Sequence, residues 1–193
     1  MNFPLFSAIM LIAMGGIIME EKDVVEVLQY YRHDIMNDLQ IISGYLSMGK
    51  LEKVEKKFEE LFSFYEQERK LMHLKAPKFI LWLIRFNNLY NNFRLTYNIQ
   101  VENTQLSMID DILIKQSKKV MDFYTSISNL STLYEVNIDL IKRKKPSQIE
   151  VNFSIDGHFK LKHNAAIISD LEKEFDVYKR ENRLESSFLI PID

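Results

Sequence analysis

The residues best placed for chemistry lie in one run, Tyr31-Arg32-His33-Asp34-Ile35-Met36-Asn37-Asp38-Leu39-Gln40-Ile41-Ile42-Ser43-Gly44-Tyr45-Leu46. On a helix each residue turns by about 100°. With Leu28 as the core direction, Tyr31, Ile35, Leu39, Ile42 and Leu46 fall within roughly 60° of it, and His33 falls about 140° away. Gln29, Asn37, Gln40 and Gly44 share the His33 side. The spacing therefore sets an imidazole on an open polar stripe lined by amides, with little bulk at Gly44.

This setting suits a histidine that carries a phosphoryl group. A neutral imidazole is nucleophilic near neutral pH, because its reference pKa is about 6.5. In-line phosphoryl transfer needs the attacking nitrogen clear of its own helix and little else from the acceptor protein. Arg32 suits the charged equatorial oxygens. Asp34, or a partner one turn earlier on the helix, suits the second ring nitrogen and would fix the tautomer. Asn37 and Gln40 can bond to a partner without repelling phosphate, and Gly44 lets another backbone come close.

A bland reading competes at each position. By position alone, an exposed helical histidine is more often a solvated surface residue. Arg32 and Asp34 are ordinary surface charges, and Asn37 and Gln40 are ordinary polar-face residues. His73, His158 and His163 lack a comparable setting. No H-x-x-x-H, H-E-x-x-H or carboxylate cluster argues for a metal ligand set.

The elements that must hold His33 follow from the surrounding pattern. The spacing predicts a helix from near Glu20 to about Met48, with acidic residues at its start and Gly49 just past its end. A second helix is predicted from Leu51 to His73. Its apolar set is Leu51, Val54, Phe58, Leu61, Tyr65 and Met72, with Phe62 and Leu71 flanking. One hairpin leaves both stripes without a third layer, and two hairpins bury them as a four-helix bundle, so a homodimer is expected. The alternative is that the hairpin packs on its own C-terminal domain.

The rest reads as an α+β layer. Pro77 is expected to open a helix running to about Asn91. Strand alternation follows around Tyr97–Val101, then a helix from Ser107 to about Ser128 capped by Ser107 or Thr104. Two strands around Tyr134–Leu140 and Ile149–Ile155 flank the Lys142–Pro146 turn. A short helix at 164–174 and strands at Phe175–Tyr178 and Leu184–Ile192 complete it. The expected domains are an apolar leader (1–19), a helical hairpin for dimerisation and phosphotransfer (20–74) and an α+β domain (75–193).

Composition sets the limits. The chain has 193 residues, 47% of them apolar and 27% charged, as expected of a folded globular protein. Its net charge of -2 argues against a dedicated nucleic-acid binder. With no cysteine, disulfides, thiol chemistry and cysteine-held metals are excluded. From Asn2 to Met19 the chain is uncharged and strongly apolar. That is the short limit of a membrane span, about 17–25 residues. Three readings stand: a weak membrane anchor, a helix covered by a partner, or an upstream start ahead of a natural Met19. The expected location is the cytoplasm, with membrane association through the leader as the variant.

The run RHDIMNDLQIISGYLSMGKLEKV resembles the histidine box of the sporulation initiation phosphotransferase B family, R-H-D-x-x-N-x-L-Q-x-I-x-G-x-L. Arg32, His33, Asp34, Asn37, Leu39, Gln40, Ile42, Gly44 and Leu46 meet every fixed position. Sensor kinases of the citrate and dicarboxylate group share this pattern, but they carry an input domain ahead of the hairpin. The resemblance implies that His33 is the phosphohistidine of a homodimeric four-helix bundle. It implies a single-domain response regulator as donor and the receiver domain of the sporulation transcription regulator as acceptor. It further implies a C-terminal domain like a degenerate histidine-kinase ATPase domain, with no cofactor bound by this chain and Mg²⁺ in the partner's acidic pocket.

The residues agree with degeneracy on their own terms. The helix Ile109–Val120 contains no asparagine to hold Mg²⁺. Asp156-Gly157-His158-Phe159 lacks the second glycine of an Asp-x-Gly-x-Gly element. ATP-dependent autokinase activity is not expected. The alternatives are a sensor-kinase fragment with that activity, or a non-catalytic regulator that docks through the same bundle.

Overall fold

A glycine sets the first reversal of the chain. Gly49 has φ 65°, a backbone conformation that costs a residue without Cβ little. Around it the Lys50 amide donates to the Tyr45 carbonyl (2.9 Å) and the Gly49 amide to that of Leu46 (3.0 Å). This double closure satisfies helix-end carbonyls and turns the chain back. The computed structural model describes residues 21–101, 104–144, 146–157, 159, 175–180 and 182–192. Helix α1 (Glu21–Ser47) precedes the turn and α2 (Leu51–His73) follows it. Both match the helices predicted from spacing. Among the described residues no helix is long and apolar enough to cross a membrane. The apolar leader lies outside the described residues.

The chain divides into two compact units, Met1–Met72 and His73–Asp193. In the first, α1 and α2 run antiparallel, tied by Tyr31 to Glu68 and by Asp38 to Lys57. Val27, Ile42, Val54 and Leu71 are buried. Much of the predicted apolar set is not: Leu39, Leu46, Leu51, Phe58 and Phe62 are exposed in the single chain. Of these, Leu39, Phe58 and Phe62 line an open apolar groove of about 720 Å³, together with Ile35, Ile42 and Leu61.

The second unit is a mixed five-stranded sheet with helices packed on it. Helix α3 (Pro77–Ile84) and the single turn α4 (Phe86–Leu89) lead into β1 (Phe93–Gln100). A 3₁₀ turn (Ser107–Ile109) and α5 (Asp110–Ile127) form the crossover to β2 (Tyr134–Lys144), which pairs parallel with β1. β3 (Ser147–Asp156), β4 (Asp176–Arg180) and β5 (Arg183–Pro191) pair antiparallel, giving the order β1-β2-β3-β5-β4. Val136, Ile138 and Leu140 of β2 and Ile149, Val151 and Ile155 of β3 alternate into the core. Tyr124 of α5 reaches the sheet, donating from its hydroxyl to Ser186 Oγ at 3.1 Å. The predicted helix at 164–174 lies outside the described residues.

Three local readings need correction. The helix expected to run from Pro77 to Asn91 breaks at Arg85, whose φ -87° and ψ 0° lie in the bridge region. The break accompanies a ring cluster in which Phe86 lies 5.4 Å from Trp82 and 4.7 Å from Tyr90. Strand β1 begins at Phe93 rather than Tyr97, because pairing with β2 starts at Phe93↔Tyr134. Neither Ser107 nor Thr104 caps α5. Ser107 is in the 3₁₀ turn, the cap position is Ile109 without a side-chain bond, and Thr104 Oγ1 accepts from Lys142 Nζ at 2.7 Å.

The cap that does form lies elsewhere. Asp110 is buried, and its two carboxylate oxygens accept from the Lys78 and Phe79 amides, each at 2.9 Å. These are first-turn donors of α3, which has Pro77 in its first turn and no side-chain cap of its own. Gly157 is fixed by packing. A Cβ there would stand 2.6 Å from the Tyr134 ring, and that ring stacks on Phe159 at 5.4 Å.

Candidate functional site

His33 projects from the middle of α1, with its side chain 69% exposed. Helical phase explains this: the i±4 neighbours Gln29 and Asn37 are exposed amides, and Tyr30 and Met36 at i±3 are themselves exposed, so no packing draws the ring inward. Its Nδ1 lies 3.3 Å from Asp34 Oδ1 and 3.2 Å from Asn37 Nδ2. The second ring partner is thus one turn later on the helix, at Asn37, and not one turn earlier at Gln29.

The two contacts require opposite tautomers. Asp34 only accepts, so it pairs with a protonated Nδ1 and leaves the Nε2 lone pair to attack. Asn37 Nδ2 only donates, so it pairs with an unprotonated Nδ1. The amide nitrogen and oxygen exchange by rotation of the terminal torsion. With Oδ1 turned inward, Asn37 joins Asp34 as an acceptor for Nδ1–H.

Among the described residues, Asp34 and Asn37 are the predicted site residues that the structure brings to the ring. Gln29, Arg32 and Gln40 are exposed along the same stretch of α1. Gly44 is part-exposed, and a Cβ built there meets nothing within 4 Å. No packing among the described residues therefore requires a glycine at that position.

Beside the stripe lie groups that sequence reasoning passed over. Asp38 Oδ1 pairs with Lys57 Nζ across the hairpin at 2.9 Å. That contact holds the Lys57 ammonium above its ordinary range, and desolvation offsets it in part. Glu68 is buried and accepts from the Tyr31 hydroxyl at 2.8 Å. Burial raises its carboxyl above the ordinary range, against the pull of that bond. The usable signal was the turn: folding the chain back at Gly49 sets Asp38 near Lys57 and Tyr31 near Glu68. Among the described residues, no group of three or more histidine, aspartate or glutamate side chains is placed to hold a metal ion.

Residues 15–74, which contain this site, match the family described as Sensor kinase SpoOB-type, alpha-helical domain. The chain is also 27% identical over 138 residues to the sporulation initiation phosphotransferase B of Bacillus subtilis (strain 168), covering 72% of each protein. The chain is thus similar in sequence to sporulation initiation phosphotransferase B, and its hairpin to the helical domain of SpoOB-type sensor kinases. In this chain the exposed His33 sits on the first helix of the hairpin. A chain of the crystal structure of histidine kinase ThkA in complex with response regulator protein TrrA is similar at TM-score 0.35 and 15% identity. That similarity covers 86% of this chain and 61% of the other, so this chain spans about three-fifths of that chain's length.

Proposed function

We propose that this chain is a phosphorelay phosphotransferase that accepts a phosphoryl group on His33 from the aspartate of one response regulator and passes it to the aspartate of a second regulator controlling sporulation. The observation that carries the reading is the exposed His33 ring with Asp34 at Nδ1. In the forward step the Nε2 lone pair attacks phosphorus in line. The P–O bond to the donor aspartate breaks, and its electron pair returns to that carboxylate. The product ring keeps the Nδ1 proton and is cationic, and Asp34 faces that charge. The second aspartate reverses the step. Mg²⁺ belongs to the regulator's acidic pocket, and Arg32 serves the equatorial oxygens as charge passes over.

Gln29, Asn37, Gln40 and Gly44 are the proposed partner-docking positions of the stripe. Domain limits of 20–74 for the hairpin and 75–193 for the α+β part fit this division of labour. The open apolar groove along Leu39 and Phe62 supports a homodimer, in which a second hairpin covers it and completes a four-helix bundle. The absence of a second glycine after Asp156-Gly157 favours a relay protein over an autokinase. A cytoplasmic location follows from the same reading.

The test is label transfer. A receiver phosphorylated on aspartate with radiolabelled acetyl phosphate, then freed of donor, is mixed with the chain. Wild type should take up acid-labile label and His33→Gln none. Label retained by His33→Gln, or acquired from ATP alone by wild type, would refute the assignment.

A further inference from the structure

Two polar bonds cross from α1 to α2. The Tyr31 hydroxyl donates to Glu68 Oε2 at 2.8 Å, and Lys57 Nζ meets Asp38 Oδ1 at 2.9 Å. Tyr31 and Asp38 stand about two turns apart on α1 and differ by about 20° in helical phase. Glu68 and Lys57 stand about three turns apart on α2 and also differ by about 20°. Each helix thus offers one face to both bonds. His33 lies between Tyr31 and Asp38 along α1 and about 140–160° away from their face.

Glu68 is a destabilising choice for its position. It is 4% exposed, and burial holds its carboxyl above the ordinary range. Apolar side chains of similar size are often neutral or stabilising in place of buried charged ones. What an apolar side chain lacks is direction, because hydrophobic burial is non-directional. Direction is what the seam of α1 needs. In the single chain Val27 and Ile42 are buried, but Leu39 and Leu46 of the same stripe are exposed, so packing within the hairpin sets the roll of α1 only loosely.

A single bond lets a helix roll about the contact, and two bonds on either side of His33 do not. Side chains reach about 5–6 Å from a helix axis, so a roll of about 10° moves the ring by about 1 Å. A misplacement of that size can slow an aligned reaction on the order of a hundredfold.

Resting on the phosphotransfer reading above, we infer that the Tyr31–Glu68 bond, together with Asp38–Lys57, fixes the roll of α1 on α2 and so holds His33 in line with the aspartyl phosphate of a docked receiver. Tyr31 and Glu68 are positioning residues. They act through the helix and touch no reacting atom.

The experiment uses two phosphoryl donors. Phosphoramidate requires no alignment between proteins: its P–N bond breaks, the bond from His33 Nε2 to phosphorus forms, and the nitrogen departs as ammonia with its protons. The second donor is a purified receiver, phosphorylated on aspartate with acetyl phosphate and freed of excess donor. Tyr31→Phe and Glu68→Leu should take label from phosphoramidate at the wild-type rate and keep the wild-type mass in light scattering. With the phosphorylated receiver their rate at saturation should fall on the order of tenfold, at an unchanged half-saturating concentration. Glu68→Leu should melt no lower than wild type. The double variant should be no slower than either single one, because both remove the same bond. Glu68→Gln keeps an oxygen for the Tyr31 hydroxyl and should restore the wild-type rate.

A wild-type rate at saturation in Tyr31→Phe and Glu68→Leu overturns the inference. So does slower labelling by phosphoramidate, which would place the pair in the reactive site. A raised half-saturating concentration with the rate at saturation kept would make them docking residues and overturns it too. Glu68→Gln as slow as Glu68→Leu would show that the charge matters and the bond does not. Slower transfer that comes only with a lower melting temperature or a changed mass would mark a merely structural pair. If Glu68→Leu does not fold, Tyr31→Phe decides by the same outcomes. If wild type takes label from phosphoramidate but from no receiver, the phosphotransfer reading fails and this inference fails with it.

Discussion

Asn37 Nδ2 stands 3.2 Å from His33 Nδ1, one helical turn further along α1. Asp34 Oδ1 lies 3.3 Å from the same nitrogen, and an acceptor there favours a protonated Nδ1 whereas a donor amide favours an unprotonated one. A hydrogen bond of this kind is worth about 0.5–1.5 kcal/mol, a factor of roughly 2 to 13 in rate. Asn37→Ala should slow phosphoryl acceptance within that range and shift the tautomer balance read from ring ¹⁵N shifts, while the dimer persists. Unchanged ¹⁵N shifts with unchanged rate would leave Asn37 as a surface amide only.

Leu39 is 51% exposed in the single chain and borders the apolar groove. Burying such a side chain contributes about 1.5–3 kcal/mol, and a symmetric interface holds two copies. Leu39→Asp should raise the dimer dissociation constant on the order of a thousandfold. The helical circular dichroism should be largely kept, because the residue is not enclosed by its own hairpin. Sedimentation equilibrium checks this. A dimer of unchanged strength would mean the groove is not the interface.

The hairpin was legible because its signals are local. Apolar spacing placed both helices, Gly49 placed the turn, and the phase of Leu28, Ile35 and Ile42 placed His33 on the outside. The sheet strands were legible where they alternate strictly, as in Tyr134–Leu140. What escaped needed partners distant in sequence. Asp110 serves α3 from the start of α5, across 32 residues, and nothing near it in sequence signals that. The start of β1 was missed because pairing with β2, not its own alternation, extends it to Phe93. At the site, Asp34 and Asn37 were readable from helical phase. The pairing of Asp38 with Lys57 was not, because Lys57 reaches it from a different helix.

Glu68 gives the hairpin a dependence on pH. Burial raises its carboxyl in the folded chain above the ordinary value of 4.5, so the folded chain holds the proton more tightly than the unfolded one. The associated stability is fully present below that ordinary value and is lost as pH rises through the raised one. Glu68→Gln keeps an oxygen for the Tyr31 hydroxyl and removes the titration. Its melting temperature should vary less than wild type between about pH 4 and about pH 7, and should equal or exceed wild type at the upper end. A variant clearly less stable at neutral pH would show that the fold needs the ionised carboxylate.

The central claim is that His33 carries a phosphoryl group between two receivers. The direct measurement is a three-protein time course. A donor receiver is labelled on aspartate and freed of its small-molecule phosphodonor. It is then mixed with a second receiver in the presence of wild type, His33→Gln or no third protein. With wild type, label should appear first on the chain in acid-labile form and then on the second receiver. With His33→Gln or with no third protein, the second receiver should stay unlabelled over the same period. Label reaching it equally fast with His33→Gln would contradict the claim.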